Sequence, residues 1–314
     1  MTSIKLGVLD LTPIFQSVTA QTALQQAVIL AQTAESLGYT RYWVAEHHDM
    51  PQLASSCPEV LLAHIGAQTK QIRIGSGAVL LPYYKPYKVA EAFSLLATLY
   101  PGRVDLGIGR APGGSAHATL ALSERYLEQV RQMPALLKDL TALLTGQFQV
   151  EGELVTARPV PPIQPELWLL GTNMKSAGYA AQYGTGYVFG HFMSEQDGLA
   201  VLTAYRRQFQ SSALNREPKA IAAVGVICAE TTAEAERLLE DARSWAPAPM
   251  SSGGAADKPN QSRRVIVGNP ELVKQQLSDL QSRYGTDEFI IVTTIPDYQK
   301  RIRSYELLAQ AVRS

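Results

Sequence analysis

Short apolar runs alternate along the chain with longer segments of helical periodicity. In the first unit, residues 4–10 form an apolar run that ends at Asp10, and apolar side chains then recur at helical spacing over residues 22–37. Runs of roughly four to eight apolar residues are typical of buried strands, and a recurrence every three or four residues is typical of amphipathic helices. The pattern therefore predicts repeated strand–helix units.

Eight strands and nine helices follow from this pattern. The strands are predicted at residues 4–10, 39–46, 72–81, 103–109, 167–171, 187–189, 220–229 and 289–292. The helices are predicted at residues 22–37, 58–69, 86–99, 120–144, 175–183, 195–209, 232–245, 270–283 and 297–312. A small hairpin is expected at residues 148–156, and a mobile loop rich in Pro, Gly, Ser and Ala is expected at residues 246–256, before the last helix–strand unit.

This order of elements is that of an α/β fold of the (β/α)₈ TIM-barrel type. Because no change of composition or linker divides the chain, we predict one domain over residues 1–314. Active sites of such barrels lie at the carboxyl ends of the strands. The topology therefore predicts that six residues gather at one mouth of the barrel: Asp10, His47, Gly77, Arg110, Gly171 and His191.

Composition narrows the classes of partner. The chain has 28 basic and 28 acidic residues, a balance that gives no electrostatic reason to expect nucleic acid or an anionic membrane as a partner, so a small-molecule substrate is expected. Cys57 and Cys228 lie outside any C-x-x-C spacing, and both are expected to be buried apolar residues. The sequence shows neither a signal peptide nor a membrane span, which predicts a soluble cytoplasmic protein.

Two adjacent histidines end the second predicted strand. Successive strand side chains point to opposite faces, so only one of His47 and His48 can face a given pocket, which argues against their binding one metal ion. An imidazole there could transfer a proton at neutral pH, or it could simply form a hydrogen bond at the strand end. A metal-dependent hydrolase would need three or more converging ligands, and no H-x-H or H-E-x-x-H spacing occurs. No metal site is predicted.

Glycines and polar residues follow several other strands. The segment 107–113 differs from the dinucleotide fingerprint G-x-G-x-x-G, since its third glycine is one residue late and Pro112 disfavours a helix start. Arg110 could bind a phosphate or an anionic ring edge, or pair with a carboxylate. Gly75 and Gly77 inside a strand indicate a bulge, close packing within the barrel, or contact with a flat ligand.

The fifth and sixth strands end in further polar side chains. The stretch 171–176 places hydroxyl, amide and amine groups at a helix start, which favours an anion site, although capping by Thr172 or Asn173 explains part of the pattern. His191 follows the sixth strand among large apolar side chains, where it could contact an organic ligand or serve a structural role.

Together these stretches resemble the bacterial luciferase-like flavin monooxygenase family. The resemblance rests on residues 41–48, 72–82, 101–113, 168–173 and 301–309, in that order along the chain. It implies a barrel that binds reduced FMN, supplied by a separate flavin reductase, and that activates O₂ as a flavin C4a-hydroperoxide to oxidise a small organic substrate such as an aldehyde or a related apolar compound. By family analogy a homodimer is expected.

The resemblance also implies roles for individual residues. His47 is the expected catalytic residue, and the bond between Gly77 and Ala78 is expected to be a non-prolyl cis peptide beneath the flavin. The expected cofactor-binding residues are Ser76, Gly77, Ala78, Arg110, Gly171, Thr172, Asn173, Ser176 and His191.

Two departures from luciferase concern the same site. Gly109 stands where luciferase has a reactive cysteine, and the turn at Thr172 and Asn173 lacks an acidic residue. Light emission is therefore not predicted. A flavin-holding protein without turnover and a deazaflavin-dependent oxidoreductase on the same barrel are the alternatives.

Overall fold

Eight parallel strands form a closed barrel in the computed structural model, which describes residues 3–245 and 264–313. The first strand pairs with both the second and the last strand of the barrel, which closes the sheet and confirms the predicted TIM barrel. The barrel strands are β1 (Lys5–Asp10), β2 (Arg41–Val44), β3 (Arg73–Ser76), β5 (Val104–Gly109), β8 (Glu166–Gly171), β9 (Gly186–Gly190), β10 (Ala220–Cys228) and β12 (Glu288–Val292). The predicted hairpin is formed by β6 (Gln149–Val150) and β7 (Glu153–Leu154).

Helices surround the barrel. They are α1 (Ala20–Ser36), α2 (Pro58–Gln68), α3 (Pro86–Leu99), α4 (Ala116–Leu122), α5 (Tyr126–Arg131), α6 (Met133–Leu144), α7 (Met174–Gln182), α8 (Gly198–Gln208), α9 (Thr232–Trp245), α10 (Pro270–Tyr284) and α11 (Tyr298–Arg313). None of the helices in the described ranges is long and apolar enough to cross a membrane.

The single long helix predicted at residues 120–144 is wrong. Three helices, α4, α5 and α6, occupy this part of the chain. The backbone of Ser123 is extended after α4, and Pro134 stands in the first turn of α6. Proline lacks the N–H of a helix interior and is favoured in a first turn, so it begins a new helix here. Helical periodicity continues through such breaks and does not show them.

The third predicted strand, residues 72–81, is interrupted. Strand β3 ends at Ser76, the Gly77–Ala78 peptide is cis as the resemblance implied, and β4 (Val79–Leu80) follows. Pairing with β5 stops at Gly75 and resumes at Val79. In the gap, the Ser76 hydroxyl donates to the carbonyl of Gly107 at 2.7 Å and accepts from its N–H at 3.1 Å. A side chain thus replaces the missing backbone bonds.

One strand was not predicted. Strand β11 (Val265–Gly268) pairs with the last four residues of β10, Gly225–Cys228, beyond the point where β9 ends. Val265, Ile266 and Val267 are β-branched and favour extended backbone, so the signal for this strand was present in the sequence. The predicted mobile loop at residues 246–256 lies outside the described residues.

The interior of the barrel changes character along its axis. At the amino ends of the strands, Arg41 contacts Asp105 at 2.7 Å and Glu288 at 2.6 Å, and Arg73 contacts Asp105 at 2.5 Å. Burial opposes the charge of Arg41, but these carboxylates outweigh it and raise the pKa of the guanidinium. An apolar inner cluster follows: Leu9, Trp43, Ala45, Trp168, Val188, Ile221, Ala223, Ile290 and Val292. Charged side chains therefore fill the barrel interior at the amino ends of the strands, and the carboxyl ends form the mouth.

Asp10 lies at the mouth end of β1, but its side chain points outward. It is on the same side of β1 as Leu6 and Val8, which belong to the outer cluster between the strands and the helices. Its carboxylate accepts from Arg301 of α11 at 2.7 Å, from the N–H of Thr12 at 2.7 Å and from the hydroxyl of Tyr42. Asp10 is therefore part of a buried ion pair and is not available to a ligand in the mouth.

The two cysteines differ in exposure. Cys228 is buried, and burial raises the pKa of its thiol to about 12. Cys57 is exposed, so the expectation that both would be buried is wrong for this residue. It precedes α2 at the N-cap position, where the chain enters the helix from a loop at the surface.

Replacing Asp10 with asparagine is expected to lower the free energy of unfolding by about 3–5 kcal/mol, because Arg301 then stays buried without a counter-charge. Urea unfolding followed by circular dichroism measures this loss. Lys5→Gln is the control, since the Lys5–Asp287 pair spans 3.4 Å with the lysine side chain 51% exposed, and it should lose at most about 1 kcal/mol. Equal losses in the two variants would contradict the role given to the buried pair.

Candidate functional site

The chain leaves β2 with His47 and His48 on opposite sides. Ala45 belongs to the inner cluster, and alternation places His47 on the same side. The His47 N–H donates to the carbonyl of Ser55 at 2.9 Å, and its Nδ1 atom is buried. His48 turns the other way, with Nε2 2.8 Å from Oε1 of Glu46. Of the two imidazoles, His47 is therefore the one directed toward the barrel interior.

Glu46 lies at the centre of a hydrogen-bond cluster that was not predicted from the sequence. Its side chain is 1% exposed. Besides contacting His48, the carboxylate accepts from the N–H of Leu80 at 3.0 Å and from the hydroxyl of Tyr84 at 2.8 Å. Burial and the Glu46 charge both raise the pKa of Tyr84. The sequence did contain a signal for the contact between Glu46 and His48, since residues two apart in an extended segment lie on the same face.

Glycines form part of the inner wall above the apolar cluster. A Cβ atom at Gly77 would lie 2.6 Å from Leu9, and one at Gly109 would lie 3.3 Å from the Cβ of Ala78. Gly75 lies deeper, where a Cβ would collide with Trp43 at 2.6 Å. Packing within the barrel therefore accounts for Gly75 and Gly77, whereas Gly109 has no neighbour closer than 3.3 Å and leaves backbone that a flat ligand can approach.

Arg110 directly follows β5. Its carbonyl accepts from the hydroxyl of Tyr126 at 2.8 Å, which fixes the backbone. Burial raises the pKa values of Tyr126 and Tyr187, and the positive charge of the Arg110 side chain opposes this increase in both. Among residues 3–245 and 264–313, no ion pair joins Arg110 to a carboxylate. The alternative of a structural Arg–carboxylate pair therefore finds no support there.

The N-terminus of α7 lies close to Tyr187. Asn173 caps this helix: its Oδ1 accepts the N–H of Ser176 at 3.1 Å, and the Ser176 hydroxyl donates back to the Asn173 carbonyl at 2.8 Å. The Tyr187 hydroxyl lies 3.1 Å from Ser176 Oγ. Burial raises the pKa of Tyr187 to about 12, although its hydrogen bond to Ser176 and the charge of Arg110 oppose this. The charge of Arg110 and the capped turn thus both act on the hydroxyl of Tyr187.

Gly171 and Thr172 lead into this turn. A Cβ at Gly171 would lie 2.1 Å from Ser176 Oγ, so the serine hydroxyl fills the space that a side chain would need. The Thr172 methyl group would lie 3.2 Å from a Cβ at Gly190, which places Thr172 over the end of β9. Of the predicted site residues, Ser76 and Ser176 have hydroxyls already engaged by the protein, and Thr172 is partly exposed.

His191 is separated from the other predicted residues. Its Nδ1 lies 2.8 Å from the hydroxyl of Tyr284, and its ring packs against Phe189 and Tyr284, which belong to the outer cluster. The neighbouring Phe192 packs instead against the inner cluster. Burial, followed by the charges of Arg264 and Arg283, lowers the pKa of His191 to about 4. The imidazole is therefore neutral at ordinary pH and faces the helix layer.

Two further observations concern alternative sites. Within the described ranges, no group of three or more His, Cys, Asp or Glu side chains is arranged to hold a metal ion. A cavity of about 570 Å³ lies outside the barrel, lined by residues of α1, α2 and the loop before α2, including Gln21, Leu24, Cys57, Val60 and His64. None of the predicted site residues lines it, so we place the candidate site at the mouth.

The whole chain is similar to known proteins. The profile of the family described as luciferase-like monooxygenase matches residues 4–288. The N-acetyl-S-alkylcysteine monooxygenase of Bacillus subtilis (strain 168) is 37% identical, over 98% of each chain. A luciferase-like monooxygenase of Escherichia coli (strain K12) is 32% identical, over 97% of this chain and 96% of that protein.

Solved structures show the same fold. The structure of apo-MsnO8 superimposes with a TM-score of 0.85 at 36% identity, covering 99% of this chain and 98% of the other. Two structures below 25% identity differ in cofactor. The oxygenating constituent of 3,6-diketocamphane monooxygenase from Pseudomonas putida, in complex with FMN, has a TM-score of 0.71 at 19% identity, covering 99% and 98% of the two chains. An F420-dependent secondary alcohol dehydrogenase has a TM-score of 0.73 at 16% identity, covering both chains fully.

The lowered pKa of His191 predicts a pH dependence of stability. The unfolded chain binds this proton near pH 6.5 and the folded chain near pH 4, so this contribution to stability is complete above about pH 6.5 and is lost as pH falls toward 4. His191→Gln should therefore flatten the decline of the melting temperature between pH 6.5 and 4. His64→Gln, at an exposed position, serves as the control and should follow the wild type. An unchanged slope in His191→Gln would show that the burial of His191 does not cause the decline.

Proposed function

The chain belongs to the luciferase-like monooxygenase family, and from this premise we propose that it is an FMN-dependent oxidoreductase that uses O₂ to oxidise a small organic substrate. When bound, reduced FMN supplies the electrons that activate O₂. The residues of the mouth would bind and orient the flavin and move a proton near it. The observation that carries the proposal is Arg110, a cation at the end of β5 without a carboxylate partner in the described ranges, whose charge opposes the rise that burial causes in the pKa of Tyr187, the tyrosine bonded to Ser176 at the start of α7.

The donors at this end of the barrel fit a phosphate group. A guanidinium and the N-terminus of a helix both favour anions. Asn173 and Ser176 already satisfy each other, and the Met174 N–H donates to Gln196 Oε1 at 3.0 Å, so we assign Arg110 and Thr172 as the main side chains toward the phosphate. The bare backbone at Gly109 would face the flat ring system, with Gly77 and Ala78 beside it.

His47 is the residue proposed to hold and move a proton. Alternation directs it inward, and a ring nitrogen of imidazole can donate or accept at neutral pH. His48 is excluded from this role because its Nε2 atom contacts Glu46. His191 is left out of the proposed flavin site because its ring packs against Tyr284 and Phe189.

An apolar substrate suits the floor of the mouth. Leu11, Leu170 and Phe192 are partly buried and pack against the inner cluster from this side. The similar monooxygenase from Bacillus subtilis is named for S-alkylcysteine derivatives, which contain a thioether. We therefore propose thioethers as the first class of substrate to assay, followed by aldehydes.

Three further parts of the proposal concern how the protein works in the cell. A separate reductase would supply reduced FMN, because residues 107–113 depart from the dinucleotide fingerprint. A homodimer is proposed because Val60, Leu95 and Leu99 are exposed apolar side chains on α2 and α3, and sedimentation velocity measures this state. We place the protein in the cytoplasm.

Anaerobic titration with reduced FMN tests the proposed function. The wild type should bind reduced FMN more tightly than reduced riboflavin, which lacks the phosphate. Arg110→Gln should weaken FMN binding about tenfold or more, since hydrogen bonds to charged groups contribute about 1.5–3 kcal/mol, and should leave riboflavin binding unchanged. Equal affinity of the wild type for the two flavins would overturn the phosphate site. Binding of F420 in place of FMN would favour the deazaflavin alternative, and flavin binding without oxidation of any substrate would favour the non-catalytic one.

His47→Ala is expected to slow substrate oxidation by about 10²–10⁴-fold, the usual contribution of a positioned acid or base. Its affinity for reduced FMN should stay within about twofold of the wild type, because the flavin contacts are assigned to other residues. Stopped-flow oxidation and anaerobic titration measure the two quantities. His64→Ala is the matched control at an exposed position and should alter neither. Parallel loss of rate and affinity in His47→Ala would remove its assigned role.

A further inference from the structure

We propose that Glu46 is a positioning residue of the flavin site, holding two segments on either side of His47 without touching the ligand. This inference rests on the proposed function. The two segments are residues 78–84, which follow the break in the third strand, and residues 110–114, which carry Arg110. The buried Glu46 carboxylate binds the first segment directly, and the second segment packs against Leu80 of the first and against His48.

The first tie joins β2 to β4. Backbone contact between the second and third strands ends where the Gly77 N–H donates to the carbonyl of Val44 at 2.7 Å. Beyond this point Glu46 Oε2 accepts the N–H of Leu80 at 3.0 Å. Strand β4 has only two residues, so this bond is a large part of what fixes it relative to β2. The Glu46 side chain therefore determines how residues 78–80 stand beside the mouth.

The second tie runs through Tyr84 and His48. Tyr84 donates its hydroxyl to Glu46 Oε1 at 2.8 Å, which fixes the turn before α3. His48 Nε2 lies 2.8 Å from the same oxygen, and the backbone N–H of His48 donates to the carbonyl of Gly113 at 2.7 Å. Residue 114 must approach His48 closely, since a Cβ at Gly114 would lie 2.4 Å from the His48 carbonyl oxygen. These contacts with residues 113 and 114 come from the backbone of His48. Gly113 also packs against Leu80, because a Cβ at Gly113 would lie 2.2 Å from Leu80 Cδ1, so the loop that carries Arg110 depends on the position of the Leu80 that Glu46 holds.

A carboxylate with almost no exposure depends on these donors. Charge-assisted hydrogen bonds are shorter and stronger than neutral ones, and a buried charge is tolerated only when it is well bonded. Glutamine has nearly the same shape but lacks the charge and one acceptor oxygen. The single oxygen of glutamine in Glu46→Gln can face either Leu80 or the pair of Tyr84 and His48. The amide NH₂ group then faces the remaining donors and cannot accept from them. The substitution should therefore loosen the two segments without leaving a cavity.

The chain provides a matched control in Glu35. Its carboxylate accepts the N–H groups of Lys70, Gln71 and Ile72 at 2.8, 2.6 and 2.9 Å. Burial opposes ionisation of Glu35, but these bonds outweigh it and lower its pKa. Glu35 thus binds the chain just before β3, whereas Glu46 binds it just after, and the former is at the end of the barrel away from the mouth. A purely structural effect of losing a backbone-binding carboxylate would appear in both variants.

Glu46→Gln and Glu35→Gln are compared in two measurements. In the ligand-free protein, hydrogen–deuterium exchange should accelerate in peptides covering residues 78–84 and 110–115 for Glu46→Gln alone. Affinity for reduced FMN should fall about tenfold in Glu46→Gln, because a shift of about 1 Å in groups that position a ligand can have an effect of this size or larger. Affinity should stay unchanged in Glu35→Gln. Both variants should lower the melting temperature. Tyr84→Phe, which removes one donor and keeps the charge, should show the same changes to a smaller degree.

The outcomes separate this inference from the proposed function. Failure of the wild type to bind any reduced flavin would overturn the proposed function. Normal exchange and normal FMN affinity in Glu46→Gln, with flavin binding by the wild type, would overturn only the role of Glu46. Equal loss of FMN affinity in Glu46→Gln and Glu35→Gln would also overturn it, because the effect would then follow from lost stability. If Glu46→Gln does not fold, Tyr84→Phe decides by the same two measurements.

Discussion

The alternation of side chains at the end of β2 is the constraint on which the rest of the mouth depends. It directs Trp43 and Ala45 into the inner cluster and sends Glu46 and His48 to the opposite side, where they contact each other. The pairing of Asp10 with Val44 on one side and of Val44 with Ser76 on the other sets this register. Because side chains alternate at every residue, a slip of one position would exchange His47 for a buried carboxylate. The barrel thus specifies which imidazole is available for chemistry.

The interior of the barrel differs between its two ends. At the amino ends of the strands, arginines and carboxylates fill the interior and satisfy one another, as Arg41 and Asp105 do at 2.7 Å. At the carboxyl ends the interior is lined by bare glycine backbone and partly buried apolar side chains. A layer that is complete in itself stabilises the fold, and a layer with unfilled contacts leaves room for a ligand. Between them lies the apolar cluster around Trp43 and Trp168.

Local signals in the sequence were enough to predict most of the elements. The helix at residues 86–99 has the predicted bounds because Pro86 begins it and the turn after Tyr100 ends it, and Asn269 with Pro270 marks the start of α10 in the same way. The order of strands then follows from their parallel pairing. Pro134 is a signal of the same kind, but the helical periodicity that continues on both sides of it led to the prediction of a single helix.

The direction of polar side chains at strand ends could be predicted only in part. Alternation predicts that His47 and His48 point to opposite sides, which depends only on neighbours in sequence, and His48 contacts Glu46 on the outer side. The partner of Asp10 is 291 residues away, and Glu46 and Tyr84 are 38 residues apart, so their contacts depend on how helices and loops pack. His191 was predicted at the cofactor site from its place after a strand, whereas its ring orientation depends on Tyr284, a residue of α10.

The unequal exposure of the two cysteines makes the chain suited to site-specific labelling. Cys57 lies at the surface, whereas Cys228 is buried and its thiol pKa is raised to about 12, so a maleimide dye would attach at one position. Cys57 is two residues from Ser55, whose carbonyl accepts the N–H of His47 and whose hydroxyl donates to the carbonyl of Ala45 at 2.6 Å. A fluorophore on Cys57 would lie two residues from Ser55, which is hydrogen-bonded to the backbone of His47. The unmodified sequence therefore already carries an optical reporter position beside its candidate site.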